Sequence, residues 1–167
     1  MPEDLNEFPA LRSVEESLRR RLGPDLLGAS FEKRELQFEI SGEALPGTLE
    51  FLKTGLGFNS LTDMVGLDTT GGEDGAPRFA VLYLLYKFPE ALRVRLRVAV
   101  DEAEALPSAT ALFRAAGWME REIFDMFGIR FEGHPDLRRV YLPDDFEGFP
   151  LRKDYPLEGE EAWPLKP

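Results

Sequence analysis

LRVRLRVAV, residues 92–100, sets Val94, Leu96, Val98 and Val100 on one side of an extended chain and Arg93, Arg95 and Arg97 on the other. Successive side chains leave a pleated backbone in opposite directions, so this period of two predicts a strand with one dry and one wet face. ELQFEI, residues 35–40, repeats the alternation. FAVLYLLY, residues 79–86, is apolar throughout and predicts a strand buried on both faces. The turn cluster GGEDGAP, residues 71–77, precedes it, and residues 61–67 predict a further short strand.

Helices are expected around these strands. Leu11, Val14, Leu18 and Leu22 recur at helical spacing until Gly23 and Pro24 end the pattern, with Ser13 and Glu16 matching a capping box and Arg19, Arg20 and Arg21 suiting the C-terminal dipole. A second helix is predicted over residues 45–55. A third helical region opens at Pro107 and Ser108 and runs, with a break at Gly117, to Phe127. Strands next to strands, with helices before, between and after, predict an α+β, two-layer fold: a mixed or largely antiparallel sheet packed by helices. Residues 1–128 form the core domain, and residues 129–167 an extended, Pro-rich C-terminal segment of the same unit.

The composition narrows the function. A chain of 167 residues with 43% hydrophobic content buries one core. The absence of cysteine excludes disulfides, thiolate-held iron–sulfur clusters and Cys-based zinc sites. A formal charge of −11 argues against nucleic acid or a bare anionic membrane and favours a protein partner with basic patches. MPEDLNEFPALRSVEE, residues 1–16, lacks the look of a signal or transit peptide, and every apolar run is shorter than the roughly 18 residues that span a bilayer. The expectation is a soluble, cytosolic chain.

Residues 120–156, EREIFDMFGIRFEGHPDLRRVYLPDDFEGFPLRKDYP, combine aromatics, both charges and prolines in a stretch unable to form its own core. A solvated linker would be poor in such aromatics, so this stretch is expected to be held against another protein. On a helix at about 100° per residue, Arg121, Glu122 and Asp125 share an arc with Trp118, while Glu120 lies opposite between Phe124 and Phe127. Arg121 and Asp125 are placed to pair at i,i+4. Glu120, flanked by phenyl rings, is expected to have a raised pKa and a buried ionic partner. The apolar positions spread almost around the whole helix, which suggests contact on two sides.

His134, the single histidine, could join Glu122 and Asp125 as metal ligands, but a turn in which its ring bonds a backbone carbonyl or Asp136 suits Gly133-His134-Pro135 better. Arg93, Arg95 and Arg97 are either the solvated face of the sheet or a docking face for acidic groups. In PLRKDYP, residues 150–156, alternate side chains such as Leu151 and Tyr155 can enter pockets while Arg152, Lys153 and Asp154 meet charges.

ERE at residues 120–122, Asp125, FGIRFEGHPDLRR at residues 127–139 and PLRKDYP closely resemble the signature of the thirty-kilodalton subunit family of the proton-translocating NADH:quinone oxidoreductase, respiratory complex I. A weaker likeness extends through FNSLTDMVGLD, residues 58–68, and FAVLYLLY, so that it covers roughly two thirds of the chain. The resemblance implies a non-catalytic scaffold in the peripheral arm, on the cytoplasmic side of the cell membrane, supporting electron transfer from NADH to quinone coupled to proton translocation. It implies docking on the quinone-site subunit and on the iron–sulfur subunit of the complex. NADH, FMN, iron–sulfur clusters and quinone are then expected in partner subunits and none in this chain. Glu120, Arg121, Glu122, Asp125, His134, Arg139, Arg152, Lys153 and Asp154 carry over as interface candidates, beside Tyr155 and Arg93, Arg95 and Arg97. Many family members carry histidine where this chain has Phe149, which excludes proton chemistry there. The alternatives are the equivalent subunit of a membrane-bound hydrogenase, formate hydrogenlyase or plastoquinone-reducing relative, a standalone metal hydrolase using Glu122, Asp125 and His134, and a free adaptor using the Arg93 to Arg97 face.

Overall fold

A computed structural model of the chain describes residues 4–69 and 77–156. Most of the predicted turn cluster at 71–77 and the tail beyond Pro156 lie outside the described residues. Five strands form one mixed sheet: β1 (Leu26–Glu32), β2 (Glu35–Ile40), β3 (Ser60–Asp68), β4 (Phe79–Lys87) and β5 (Leu92–Val100), in the order β1-β2-β5-β4-β3. β2 and β5 run parallel, and the other neighbours run antiparallel. Helices α1 (Pro9–Leu22), α2 (Leu45–Glu50, extended by a π-helical turn Phe51–Gly55) and α3 (Ala116–Phe127) supply the second layer. β6 (Ala105–Pro107) and β7 (Arg130–Glu132) make a small parallel pair beside α3.

The alternating strands bury the expected faces. Leu36, Phe38 and Ile40 of β2 meet Val94, Leu96, Val98 and Val100 of β5, with Phe79, Val81, Tyr83 and Leu85 of β4 completing the floor. Leu11, Val14, Leu18 and Leu22 of α1 and Leu45, Leu49 and Leu52 of the α2 region cover it. A β2-to-β5 parallel pair needs a crossover. The chain supplies it by carrying α2 over the sheet to the far edge strand β3 and returning through β4.

Four expectations change. β4 is not sheltered on both sides: Leu82, Leu84 and Tyr86 are only half-buried, because the opposite sheet face carries no helix among the described residues and the stems of Arg93, Arg95 and Arg97 cover it partly. α1 starts at Pro9, which suits the first helical turn, so Ser13 lies inside the helix and its capping box does not form. The third helix begins at Ala116, after turns at 108–115, where Glu120 binds the backbone instead. β1 was not expected at all. Its Gly28, Ala29 and Ser30 are weak strand formers, and its two-residue turn uses Lys33 (φ 52°) and Arg34 (φ 61°) where Asn-Gly is the usual signal.

α3 lies close on β3 because Gly66 has no side chain. A Cβ there would come within 2.7 Å of the Phe127 ring and 3.1 Å of Ile123 Cγ2. Gly66→Val is therefore expected to push α3 off the sheet and cost about 1–3 kcal/mol, read as a lower urea midpoint. An unchanged midpoint would show that α3 does not need this close approach.

Candidate functional site

α3 ends at Gly128, whose φ of 77° lets its N–H return to Phe124 O at 2.8 Å. A Cβ at Gly128 would also strike Arg152 Nη2 at 2.6 Å and the Phe149 ring at 2.8 Å. Glycine thus both ends the helix and admits the returning tail.

The tail is fastened by Asp125, whose side chain is 0% exposed. Oδ1 accepts from Arg139 Nη1 at 2.8 Å, and Oδ2 accepts the backbone N–H groups of Val140 (2.9 Å), Tyr141 (2.8 Å) and Leu142 (3.1 Å). Arg139 also donates through Nη1 to Asp125 O, and through Nη2 to Phe146 O and Gly148 O, the latter two at 3.0 Å. Its guanidinium lies 5.7 Å from the Phe146 ring centroid and 5.3 Å from that of Phe149. Burial by itself would raise the Asp125 pKa, but Arg139 and the three amides outweigh it and hold the carboxyl below the ordinary aspartate value. The expected Arg121–Asp125 pair does not form, because this set of donors saturates Asp125. Arg121 instead donates to the carbonyls of Arg138 and Arg139 and stacks on Trp118.

A second fastening holds PLRKDYP to the sheet. Leu151 N–H reaches Met126 O at 3.2 Å, Arg152 Nε donates to Phe127 O at 2.7 Å, and Arg152 pairs with Glu102. Lys153 N–H reaches Asp68 Oδ2 at 2.9 Å, while Arg78 binds Asp154 (2.7 Å), Asp68 (3.1 Å) and Glu102 (3.3 Å). Arg78 lowers the Asp154 pKa. Tyr155 stacks on Phe146. Arg139 and Arg152 therefore direct their donors into their own chain, and Asp154 meets Arg78. Sequence reasoning did not single out Arg78, Asp68 or Glu102. Contacts across 85 residues leave no local spacing to read.

Glu120 faces the other way, 0% exposed, and the expected ionic partner is absent among the described residues. Its oxygens accept from Ser108 Oγ and Ala109 N–H, both at 2.7 Å. Burial raises its pKa, opposed by these two donors and weakly by His134. Neutral donors suffice because the carboxylate sits at the turn opening residues 108–115, where an amide points inward. Burial, with the charge of Glu120, also lifts the Tyr83 hydroxyl well above its usual pKa.

His134 accepts the Asp136 N–H on Nδ1 at 2.9 Å, so its Nε2 carries the proton given to Gly117 O at 2.9 Å. With Asp125 saturated and Glu122 exposed, the three suggested metal ligands do not converge. Among the described residues no group of three His, Asp or Glu side chains is placed to hold a metal ion. Arg93 and Arg95 pair with Glu35, and Arg97 with Glu39 at 3.3 Å, so β2 carboxylates answer the basic stripe within the sheet.

A mixed sheet packed by helices, with a peptide segment fastened to it through Asp125, Arg139, Arg152 and Arg78, defines a protein of the α+β class. The model of the respiratory-chain NADH dehydrogenase 30 kDa subunit family matches residues 38–161. The C subunit of an NADH-quinone oxidoreductase from Paramagnetospirillum magneticum is 41% identical over 153 residues, covering 90% of this chain and 75% of that protein. The solved trypsin-resistant fragment (1–134) of Nqo5 superposes with a TM-score of 0.64 at 36% identity, covering 77% of this chain and 99% of the fragment. A chain of an archaeal membrane-bound sulfane sulfur reductase shares the fold, with a TM-score of 0.69 at 22% identity over 87% of this chain and 86% of its own. This chain belongs to the respiratory-chain NADH dehydrogenase 30 kDa subunit family.

Asp125→Ala strands the Arg139 charge and three amides, and is expected to cost about 3–5 kcal/mol in denaturant unfolding and to expose residues 139–148 to protease. Glu120 gives the opposite pH signature. Its native pKa is raised above the unfolded value, so its contribution is full below the unfolded pKa and declines as pH rises through the native one. Glu120→Gln should remove that decline while keeping the fold, measured as unfolding free energy against pH beside the unaltered chain. Identical slopes would show that Glu120 does not titrate in this window.

Proposed function

We propose that this chain is a support subunit, without catalytic residues of its own, in the peripheral arm of an NADH:quinone oxidoreductase. The reading rests on one observation, the family match over residues 38–161. The doubly fastened tail supports it physically, because a quinone-reducing site needs walls held in a fixed shape, and a braced peptide on a rigid sheet can supply such a wall from a second chain. The partners are the quinone-site subunit and the iron–sulfur subunit, on the cytoplasmic side of the membrane. NADH, FMN, the iron–sulfur clusters and quinone belong to neighbouring subunits. Among the described residues no helix is long and apolar enough to cross a membrane, in keeping with attachment through partners.

The exposed parts of the candidate set, Glu122, Lys153, Asp154 and the partly covered Tyr155, together with the Arg93 side chain, are the positions offered to neighbours. Buried Glu120 and Asp125 and the inward-turned Arg121, His134, Arg139 and Arg152 shape the surface from beneath. Purification of the tagged chain in mild detergent should bring down an NADH-binding flavoprotein with the iron–sulfur and quinone-site subunits. A nickel–iron subunit in place of the flavoprotein would assign the chain to a hydrogenase-type relative. Arg152→Ala, which removes the Phe127 and Glu102 contacts of PLRKDYP and loosens it, should lower the amount of assembled complex while leaving turnover per assembled particle unchanged; reduced turnover at full assembly would place Arg152 in the chemistry instead.

A further inference from the structure

Five large hydrophobic side chains stand exposed among the described residues, and three of them line α3: Trp118 (66%) at its first turn, Tyr141 (66%) beside its middle and Leu151 (55%) at its end. The distance from Trp118 to Met126, whose carbonyl holds Leu151, is about 12 Å along the axis. Scattered apolar residues on a surface need no explanation, but a row along one helix does.

These side chains are also held before any partner arrives. Arg121 stacks on one face of Trp118 at 4.8 Å while both its bonds go to the carbonyls of Arg138 and Arg139. The Tyr141 backbone is pinned by Asp125, and its hydroxyl lies 3.5 Å from Glu122. Ordering exposed aromatics in advance removes entropy that binding would otherwise cost, and aromatic anchors fixed in this way carry most of the energy of an interface.

The charge beside Trp118 and Tyr141 is acidic. Glu122 meets the Tyr141 hydroxyl, and Asp144 and Glu147 are exposed in the segment that follows Tyr141. Arg138 pairs with Asp136 at 3.0 Å and Arg121 is turned onto carbonyls, while the exposed Lys153 stands apart, beyond Leu151. Exposed π-faces and carboxylates together suit guanidinium and ammonium groups, through cation–π contact and ion pairing. The open face of the sheet is a weaker candidate, since each of its three arginines already pairs with one of two β2 carboxylates, Glu35 or Glu39.

We propose that the Trp118–Tyr141 ridge on α3 is a docking site for an arginine- or lysine-bearing surface of a neighbouring protein subunit. The inference rests on the chain being a subunit of the complex, and it names the surface and the partner's chemistry. A photo-activatable phenylalanine analogue placed at Trp118 or Tyr141 of the full chain, in cells lacking the unaltered copy, should cross-link in the purified complex to a peptide of another subunit that contains Arg or Lys. The double variant Trp118→Ala and Tyr141→Ala should lower the assembled fraction by about tenfold. Glu122→Lys should lower it more than Glu122→Gln, with the melting temperature of the isolated chain unchanged in each case.

If the unaltered chain co-purifies with the complex but the cross-links stay within the chain or go to lipid, the ridge is not a docking site and the assignment to the complex stands. Full assembly of the double variant overturns the ridge equally. If the unaltered chain never co-purifies with the complex, both readings fall.

Discussion

The buried carboxylate of Asp125 is the constraint on which the C-terminal half depends. One side chain gathers an arginine and three consecutive backbone amides, and Arg139 passes the connection on to two more carbonyls and two phenyl rings. A segment interrupted by prolines cannot satisfy its amides through a ladder or a helix, so a carboxylate must do it. This is why residues 139–148 hold a defined path without regular secondary structure. An aspartate left buried without those donors would be strongly destabilising, so helix and tail stabilise one another.

Glu120 and Asp125 show how one helix can carry two buried carboxylates with opposite tendencies. Asp125 meets a full positive charge and three amides and is pulled toward ionisation. Glu120 meets one hydroxyl and one amide inside the core and is pushed toward protonation. Both side chains are closed to solvent, but Glu120 lies deeper and meets fewer donors, so burial prevails there while the donors prevail at Asp125.

For a protein of this family the consequence is mechanical. The sheet supplies a stiff plate, α3 lies close upon it at Gly66, and the tail is bound to the outer side of α3 and to the end of the β3–β4 pair through Asp68 and Arg78. The surface so formed is aromatic and acidic, and its anchors are immobilised from below.

Periodicity was sufficient for β2, β5 and α1 and their core positions, because alternation and helical spacing are local consequences of burying one face, whereas the unbroken apolar run located β4 without showing that only one of its faces is fully buried. The spaced motifs from residue 120 onward were sufficient for the family. Composition and spacing did not reveal that Asp125 turns to Arg139 instead of Arg121, that Glu120 is satisfied by neutral donors, or that Arg152 and Asp154 are held by Glu102 and Arg78. Nor did they reveal β1, whose weak strand formers take part only because β2 offers an edge. Each of these was decided by the tertiary structure, since a charged side chain selects the best donor set within reach, and reach in a folded chain is measured through space.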